Sequence, residues 1–183
     1  MGDYAVSRTL SAAALKAMFS ADSDDVLITL ITIKADVSLG IPTDIVFADN
    51  YTGRLTALTT DAEVVYGVTS TVTGTSVDYP FMPVEIALPN DDNTSSARCS
   101  ITIHDVTRYL LPSIRSITGA PLVEIRLVLA STPNTLEASY TGFRLSNVSY
   151  NANTITAELN MPSMEVEPFP AHSFTPAYFP GLF

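Results

Sequence analysis

The sequence VLITLITI, residues Val26–Ile33, decides the fold class of this chain. Its Val, Ile and Thr side chains favour a β-strand, because branched side chains fit a pleated surface better than a helix. Apolar residues follow one another here almost without a break, which is typical of a strand covered on both faces. The sequence therefore predicts a central strand at this position. The run is also too short to span a bilayer.

Further strands are predicted after this run. The sequence LVEIRLVL, residues Leu122–Leu129, is a second strong candidate, and ARCSITI, residues Ala97–Ile103, alternates apolar and polar positions. Residues Leu55–Val77 are rich in Thr and Val and predict either short strands in a meander or a loop with strand-like edges. The other predicted strands are Ile45–Phe47, Val84–Leu88, Leu136–Tyr140, Phe143–Tyr150 and Thr154–Leu159. A hairpin turn at 151–153 is predicted to pair the last strand with the one before it.

Two short helices complete the predicted domain. Ser7–Phe19 has apolar residues at helical spacing, namely Leu10, Ala13, Ala14, Ala17 and Met18, and Ser7 is a candidate cap. Val106–Ser116 is the second, capped by Asp105, kinked or shortened by Pro112, and buried through Val106, Tyr109, Leu110 and Ile114. The predicted fold class is mainly β, a sandwich or barrel with one or two short helices.

The last stretch of the sequence changes character. Residues Glu167–Phe183 read EPFPAHSFTPAYFPGLF, whose prolines exclude a helix or a central strand. The segment is too aromatic for a disordered tail, so we expect it to dock in grooves of its own domain or of a neighbour. We therefore divide the chain into a β-rich core, 1–166, and an extended arm, 167–183. The predicted subunit-contact residues are Phe169, Phe174, Pro176, Tyr178, Phe179, Pro180 and Phe183.

Composition and charge narrow the range of partners. The net charge of −10 and the scattered single Lys and Arg residues disfavour nucleic acid and anionic membranes. Only 15% of residues are charged, against about 25% in typical soluble domains, which favours surfaces hidden in an assembly. With one cysteine and no signal-peptide pattern at its start, the chain is expected to be made in the cytoplasm as a soluble protein.

Residues able to carry chemistry are few and scattered. Cys99 as a nucleophile with His104 as its base is the one catalytic pairing to consider, but Cys99 falls on the apolar face of a strand. His104 and His172 are too far apart in sequence for a zinc pattern, and His104 is better suited to a solvated or helix-capping role. The sequence predicts no enzyme activity, cofactor or metal site.

Carboxylate groups give no stronger candidate. Asp22, Asp24 and Asp25 resemble a fragment of a calcium loop that lacks the required glycine and the distal glutamate. Glu165 and Glu167 are the best pair for acid–base chemistry, but they border the proline-rich arm without a supporting base. We interpret the three aspartates as solvated.

Several motifs resemble a family of minor tail proteins of long-tailed bacteriophages. The ending PFPAHSFTPAYFPGLF is similar to the closing motif of that family. So are the strand and turn VEIRLVLASTP, residues Val123–Pro133, and the strand GFRLSNVSY, residues Gly142–Tyr150. LITLITI, residues Leu27–Ile33, and HDVTR, residues His104–Arg108, match less specific family features. The Thr-rich part, Asp49–Tyr79, departs from the family pattern.

The resemblance implies a place in the virion tail. Such proteins are distal tail or hub-adaptor components, which join the tail tube to the tip and form closed rings. It implies copies of the chain itself as partners, in a hexamer rather than a trimer, together with the tail tube protein and the hub or tip proteins. The tape-measure protein is a further candidate partner. A tail-tube-like barrel would be the fold.

Two other functions compete with the structural one. A receptor- or carbohydrate-binding β-domain of the tail tip would need clustered aromatic residues outside the arm, and the tyrosines are spread from Tyr4 to Tyr178. A tail peptidase or lysin would need a catalytic constellation, which the residue inventory does not supply. The structural reading is the prediction we adopt.

Overall fold

The part of the protein that the structure describes is mainly β with two short helices, as predicted. A computed structural model describes residues 10–20, 25–55, 64–87, 98–104, 111–151 and 153–160. The helices are α1 (Ala12–Phe19) and α2 (Leu111–Ser116), with one 3₁₀ turn at Val37–Leu39. The strands are β1 (Leu27–Ile33), β2 (Ile45–Ala48), β3 (Gly53–Arg54), β4 (Tyr66–Ser70), β5 (Val77–Pro80), β6 (Val84–Ala87), β7 (Arg98–Ile103), β8 (Leu122–Leu129), β9 (Ala138–Tyr150) and β10 (Ile155–Asn160).

Seven antiparallel strands form one sheet in the order β2-β1-β8-β9-β10-β7-β6. The sheet curls into a nearly closed barrel. Its two ends approach each other where Ala48, at the end of β2, forms a bridge with Phe81, just before β6. There the Met82 N–H donates to the Ala48 carbonyl at 2.8 Å. The interior is filled by side chains such as Ile31, Phe47, Phe143 and Leu159, which are at most 1% exposed.

A small second sheet explains why β1 is apolar on both faces. Its order is β3-β4-β5, and it packs outside the barrel against β1 and β8. Ile31 and Ile33 of β1 face the barrel interior, while Ile28 and Leu30 pack with Val68, Tyr79 and Val128. The prediction of a central strand is confirmed, since β1 lies between β2 and β8. The predicted meander is this sheet in part, because residues 56–63 lie outside the described ranges.

The two strands predicted at Leu136–Tyr140 and Phe143–Tyr150 are one strand, β9. Thr141-Gly142 does not break it. Gly142 has φ +86°, and the pairing with β8 shifts there by one residue, so the turn signal marks a β-bulge. A second bulge near Asn147, at φ 49°, shifts the pairing with β10. The hairpin between β9 and β10 is as predicted, with the Asn151 side chain accepting from the Asn153 and Thr154 N–H groups.

Helix α1 starts later than predicted, and most of its apolar residues are exposed. It begins at Ala12 rather than near Ser7, because Ser11 is extended and its hydroxyl accepts from the Ala14 N–H. Of the five apolar residues at helical spacing only Ala14 is buried, and Met18 is 51% exposed. The helix therefore packs on the domain mainly through one small residue, Ala14, and its larger apolar side chains face outward.

Helix α2 spans Leu111–Ser116 in the described residues, and its end at Ser116 agrees with the predicted Val106–Ser116. Ile114 is buried as predicted and joins the barrel core. Residues 105–110, with the predicted Asp105 cap and three members of the predicted stripe, lie outside the described ranges. So does the whole predicted arm, 167–183, together with its seven predicted contact residues.

Candidate assembly and ligand-binding surfaces

A buried carboxylate holds the N-terminus of α1. Glu137 is only 4% exposed, and its two carboxylate oxygens accept from the backbone N–H and the hydroxyl of Ser11, each at 2.9 Å. Glu137 itself is fixed to the sheet, because its N–H donates to the Leu127 carbonyl. A negative charge at a helix N-terminus is also favoured by the helix dipole. The helix is therefore attached at a defined point, although Ala14 is its one fully buried residue.

The outward side of α1 is an apolar surface. Leu15 is 43% exposed, Met18 is 51% exposed and Phe19 is 80% exposed. We call these three residues the α1 patch. Clustered large apolar side chains in water are typical of a surface that another protein covers. Sequence reasoning missed this patch, because helical spacing shows that residues share a face but not whether that face meets the core.

A groove lies between α2 and the second half of β9. It encloses about 490 Å³ and is lined by Ile114, Arg115, Ile117, Thr118, Gly119, Ala120, Leu145, Ser146, Asn147, Val148 and Tyr150. Arg115 stands over the Tyr150 ring, with its guanidinium carbon 5.3 Å from the ring centroid. The pairing of β8 with β9 stops at Arg144, so within the described ranges no strand pairs with Ser146–Tyr150 on that side. We call this the β9 groove.

Three aromatic side chains meet on the surface where the small sheet joins the barrel. Tyr51 lies 5.3 Å from Tyr66 and 5.4 Å from Phe81 between ring centroids, with the ring planes tilted by 54° and 68°. The rings are 51%, 47% and 37% exposed. The expectation that the tyrosines form no cluster is therefore wrong. The three residues are separated in sequence. They come together because Ala48 forms a bridge with Phe81 and because β4, which contains Tyr66, lies beside Phe81.

Cys99 and His104 are not joined as a catalytic pair. Cys99 is 2% exposed and belongs to the barrel core, and burial raises the pKa of its thiol to about 11. His104 is near the surface, with Nε2 at 3.5 Å from the Glu85 carboxylate. The thiol thus packs as a small apolar group, as the alternation predicts, and His104 is solvated, as also predicted.

We predict that Cys99 is chemically inert in the folded protein. A pKa of about 11, against 9.0 for an ordinary thiol, leaves roughly one hundredth of the usual thiolate at pH 8. Alkylation by iodoacetamide, followed by mass spectrometry, should be at least about a hundredfold slower in buffer than in urea. The unfolded chain releases this proton first, so Cys99 lowers the free energy of unfolding as pH rises from about 9 towards 11. Equal alkylation rates in both solvents would contradict the prediction.

Asp25, the described member of the calcium-like triplet, binds protein groups instead. Its carboxylate accepts from the Ser131 hydroxyl at 2.6 Å and from the N–H groups of Ser131 and Val26. The hydroxyl of Ser131 and then these N–H groups hold the pKa of the Asp25 carboxyl below its usual value. Asp22, Asp24, Glu165, Glu167 and His172 lie outside the described ranges. Within those ranges no three His, Cys, Asp or Glu side chains gather as metal ligands would.

Comparison with family models, with curated proteins and with solved structures finds no match to the chain. In the part of the chain that the structure describes, neither helix has the length and apolar content to cross a membrane.

Proposed function

We propose that this chain is a structural, non-enzymatic subunit of a bacteriophage tail. In this proposal it is a minor tail protein of the distal tail or hub-adaptor ring. The observation that carries the proposal is the α1 patch: an apolar helix face anchored by Ser11 and Glu137 and turned to the outside. A fixed, exposed apolar face suits a contact between subunits, because such a face stabilises the protein only when another surface covers it. The resemblance of the sequence motifs to phage tail proteins supplies the kind of assembly.

The proposed partners are further copies of the chain, the tail tube protein and the hub or tip proteins. A ring closes when one surface of each subunit meets a different surface of the next, around a rotation axis. A hexamer would match the tube. The net charge of −10 per subunit suits a ring around a DNA channel, because acidic walls do not retain a polyanion.

The test is the mass of the purified protein, alone and mixed with the tail tube protein, by light scattering on a sizing column. We expect a ring-sized species, and we expect Phe19→Ser with Met18→Ser to shift it to monomer. The matched control is Val37→Ser, which removes an apolar side chain that is also 80% exposed but lies away from the α1 patch. A parent protein that stays monomeric with and without the tube protein would sink the proposal.

The proposed arm gives a second prediction for the virion. Deleting Phe174–Phe183 should leave a folded β-domain but yield particles without functional tails. The physical reason is that prolines already restrict the free arm, so latching it onto another subunit costs little entropy. The measurements are circular dichroism of the truncated protein and a plaque assay with electron microscopy. Normal infectious particles would refute the latch.

The aromatic cluster favours a second candidate function, binding of a carbohydrate at the tail tip. Tilted, half-exposed rings at Tyr51, Tyr66 and Phe81 offer apolar faces to a sugar ring and phenol hydroxyls to its hydroxyl groups. The acidic chain favours neutral sugars over acidic ones. An array of neutral and acidic glycans, probed with the parent and with Tyr51→Ala, tests this candidate. Tyr150→Ala is the control, since Tyr150 is 50% exposed but lies in the β9 groove.

A further inference from the structure

We propose that the β9 groove is filled by residues 163–167 of the same chain, which add to the open edge of β9 as a further strand. This proposal rests on the proposed function in one respect: the segment 163–167 is the start of the arm that the proposed function uses. It names the surface from which the arm starts, while the contacts of the distal arm with other subunits are a separate matter.

The described chain ends beside the groove, at Asn160. Asn160, the last residue of β10, donates from Nδ2 to the Ser146 hydroxyl at 2.6 Å, and Ser146 lines the groove. Asn160 Oδ1 is buried and has no hydrogen-bond partner in the described part of the chain. An extended residue spans about 3.3 Å, so Met164 is within about 13 Å of Asn160. A buried acceptor at the exit offers a place for a backbone N–H of the next residues.

The sequence of the segment matches the groove in pattern and length. Ser163–Glu167 reads SMEVE, in which Met164 and Val166 alternate with Glu165 and Glu167 as in a strand with one apolar face. Pro162 and Pro168 flank it, and because proline donates no hydrogen bond, they limit a strand to these five residues. The open edge of β9, Ser146–Tyr150, has the same length. Strand addition to an open sheet edge is a common way to bind an extended peptide.

The charges and apolar contacts of the two parts are complementary. The groove offers Ile117, Leu145 and Val148 as apolar lining, which suits Met164 and Val166. Arg115 is exposed on the lining and faces the Tyr150 ring. It is the one cation among the lining residues, and the segment brings two carboxylates, Glu165 and Glu167. Covering this edge also removes a strand that would otherwise be free to pair with another molecule.

Hydrogen exchange of the full-length protein, read by mass spectrometry, tests the proposal. Peptides covering 161–169 and 146–150 should both be protected, and the protection should not change when the protein is diluted tenfold. Arg115→Glu should lower the protection of both peptides roughly tenfold, the size expected from losing two exposed ion pairs. Adding Glu165→Arg and Glu167→Arg to that variant should restore it. Arg54→Glu, a charge reversal on the small sheet, is the control and should leave both peptides unchanged.

Each other outcome overturns the proposal in a recognisable way. Unprotected 161–169 in the parent means that the groove is empty, whereas protection that falls on dilution means that it holds a second copy. Loss of protection in Arg54→Glu as well would show a general loosening of the fold. The size of the assembly is measured separately, so a protein that forms no ring can still dock its own segment.

Discussion

Gly40→Ala should lower the free energy of unfolding by roughly 2–5 kcal/mol, from a left-handed backbone penalty of about 1–2 kcal/mol and a steric cost of about 1–3 kcal/mol. Gly40 ends the 3₁₀ turn at φ +84°, a conformation that a side chain disfavours. A Cβ there would also lie 2.3 Å from the carbonyl oxygen of Ser116, at the end of α2. Backbone cannot move aside as a flexible side chain does, so the whole corner must shift.

The corner is where α2 is fastened to the β1–β2 connection. The Thr118 N–H donates to the Leu39 carbonyl at 3.0 Å, and the Ser116 hydroxyl donates to the Gly40 carbonyl at 3.2 Å. Urea unfolding followed by circular dichroism measures the loss. Gly74→Ala is a matched control, because Gly74 has φ +87° but nothing within 4 Å of its Cβ position. It should cost only about 1–2 kcal/mol, and equal losses in the two variants would show that the close approach to Ser116 has no effect.

Glu137→Ala should detach α1 and lower the free energy of unfolding by about 3 kcal/mol, because it removes two hydrogen bonds to a charged group. It also leaves the Ser11 N–H and hydroxyl at the helix start without the acceptor they now have. The helix contributes little packing of its own, since Ala14 is its one buried residue. Hydrogen exchange of residues 10–20 should therefore rise well before the barrel unfolds.

We call the contact of Glu137 with Ser11 the clamp. Two variants distinguish the loss of this clamp from a general effect of removing a glutamate. Glu158→Ala removes an exposed carboxylate that accepts from the Asn147 side chain at 2.7 Å, and it should cost less than about 1 kcal/mol. Ser11→Ala removes the cap and one partner of Glu137, at about 1 kcal/mol for the cap. The double variant Ser11→Ala with Glu137→Ala should cost less than the sum of the two, because both remove the same contact. Strict additivity would show that the two residues do not act together.

The same clamp links stability to the proposed assembly. Without Glu137 the α1 patch loses its fixed position, so a ring that uses the patch should lose subunits under conditions in which the barrel remains folded. For Glu137→Ala, light scattering measures the size of the assembly, and circular dichroism measures whether the barrel is folded. A stable ring with a detached helix would show that another surface makes the contact.

Sequence patterns predicted the strands well where a pattern is compatible with only one local structure. The continuous apolar run of β1 and the two-residue alternation of β7 each depend on local geometry, and both strands lie where predicted. The buried face of β7, with Cys99, Ile101 and Ile103, was also predicted correctly. Thr141-Gly142 was misread, because a glycine at positive φ serves a turn and a bulge equally well, and only the pairing with β8 distinguishes them.

What the sequence determined by itself is the mainly β class, the central place of β1 and the inward face of β7, since each follows from periodicity along a single strand. Only the tertiary structure decided that Glu137 caps α1 across 126 positions and that Tyr51, Tyr66 and Phe81 meet. It also decided that, among the described residues, no strand pairs with the second half of β9 on the side of α2. The physical reason is that these features depend on which strands become neighbours. That choice is made by the closure of the barrel, and no local pattern encodes it.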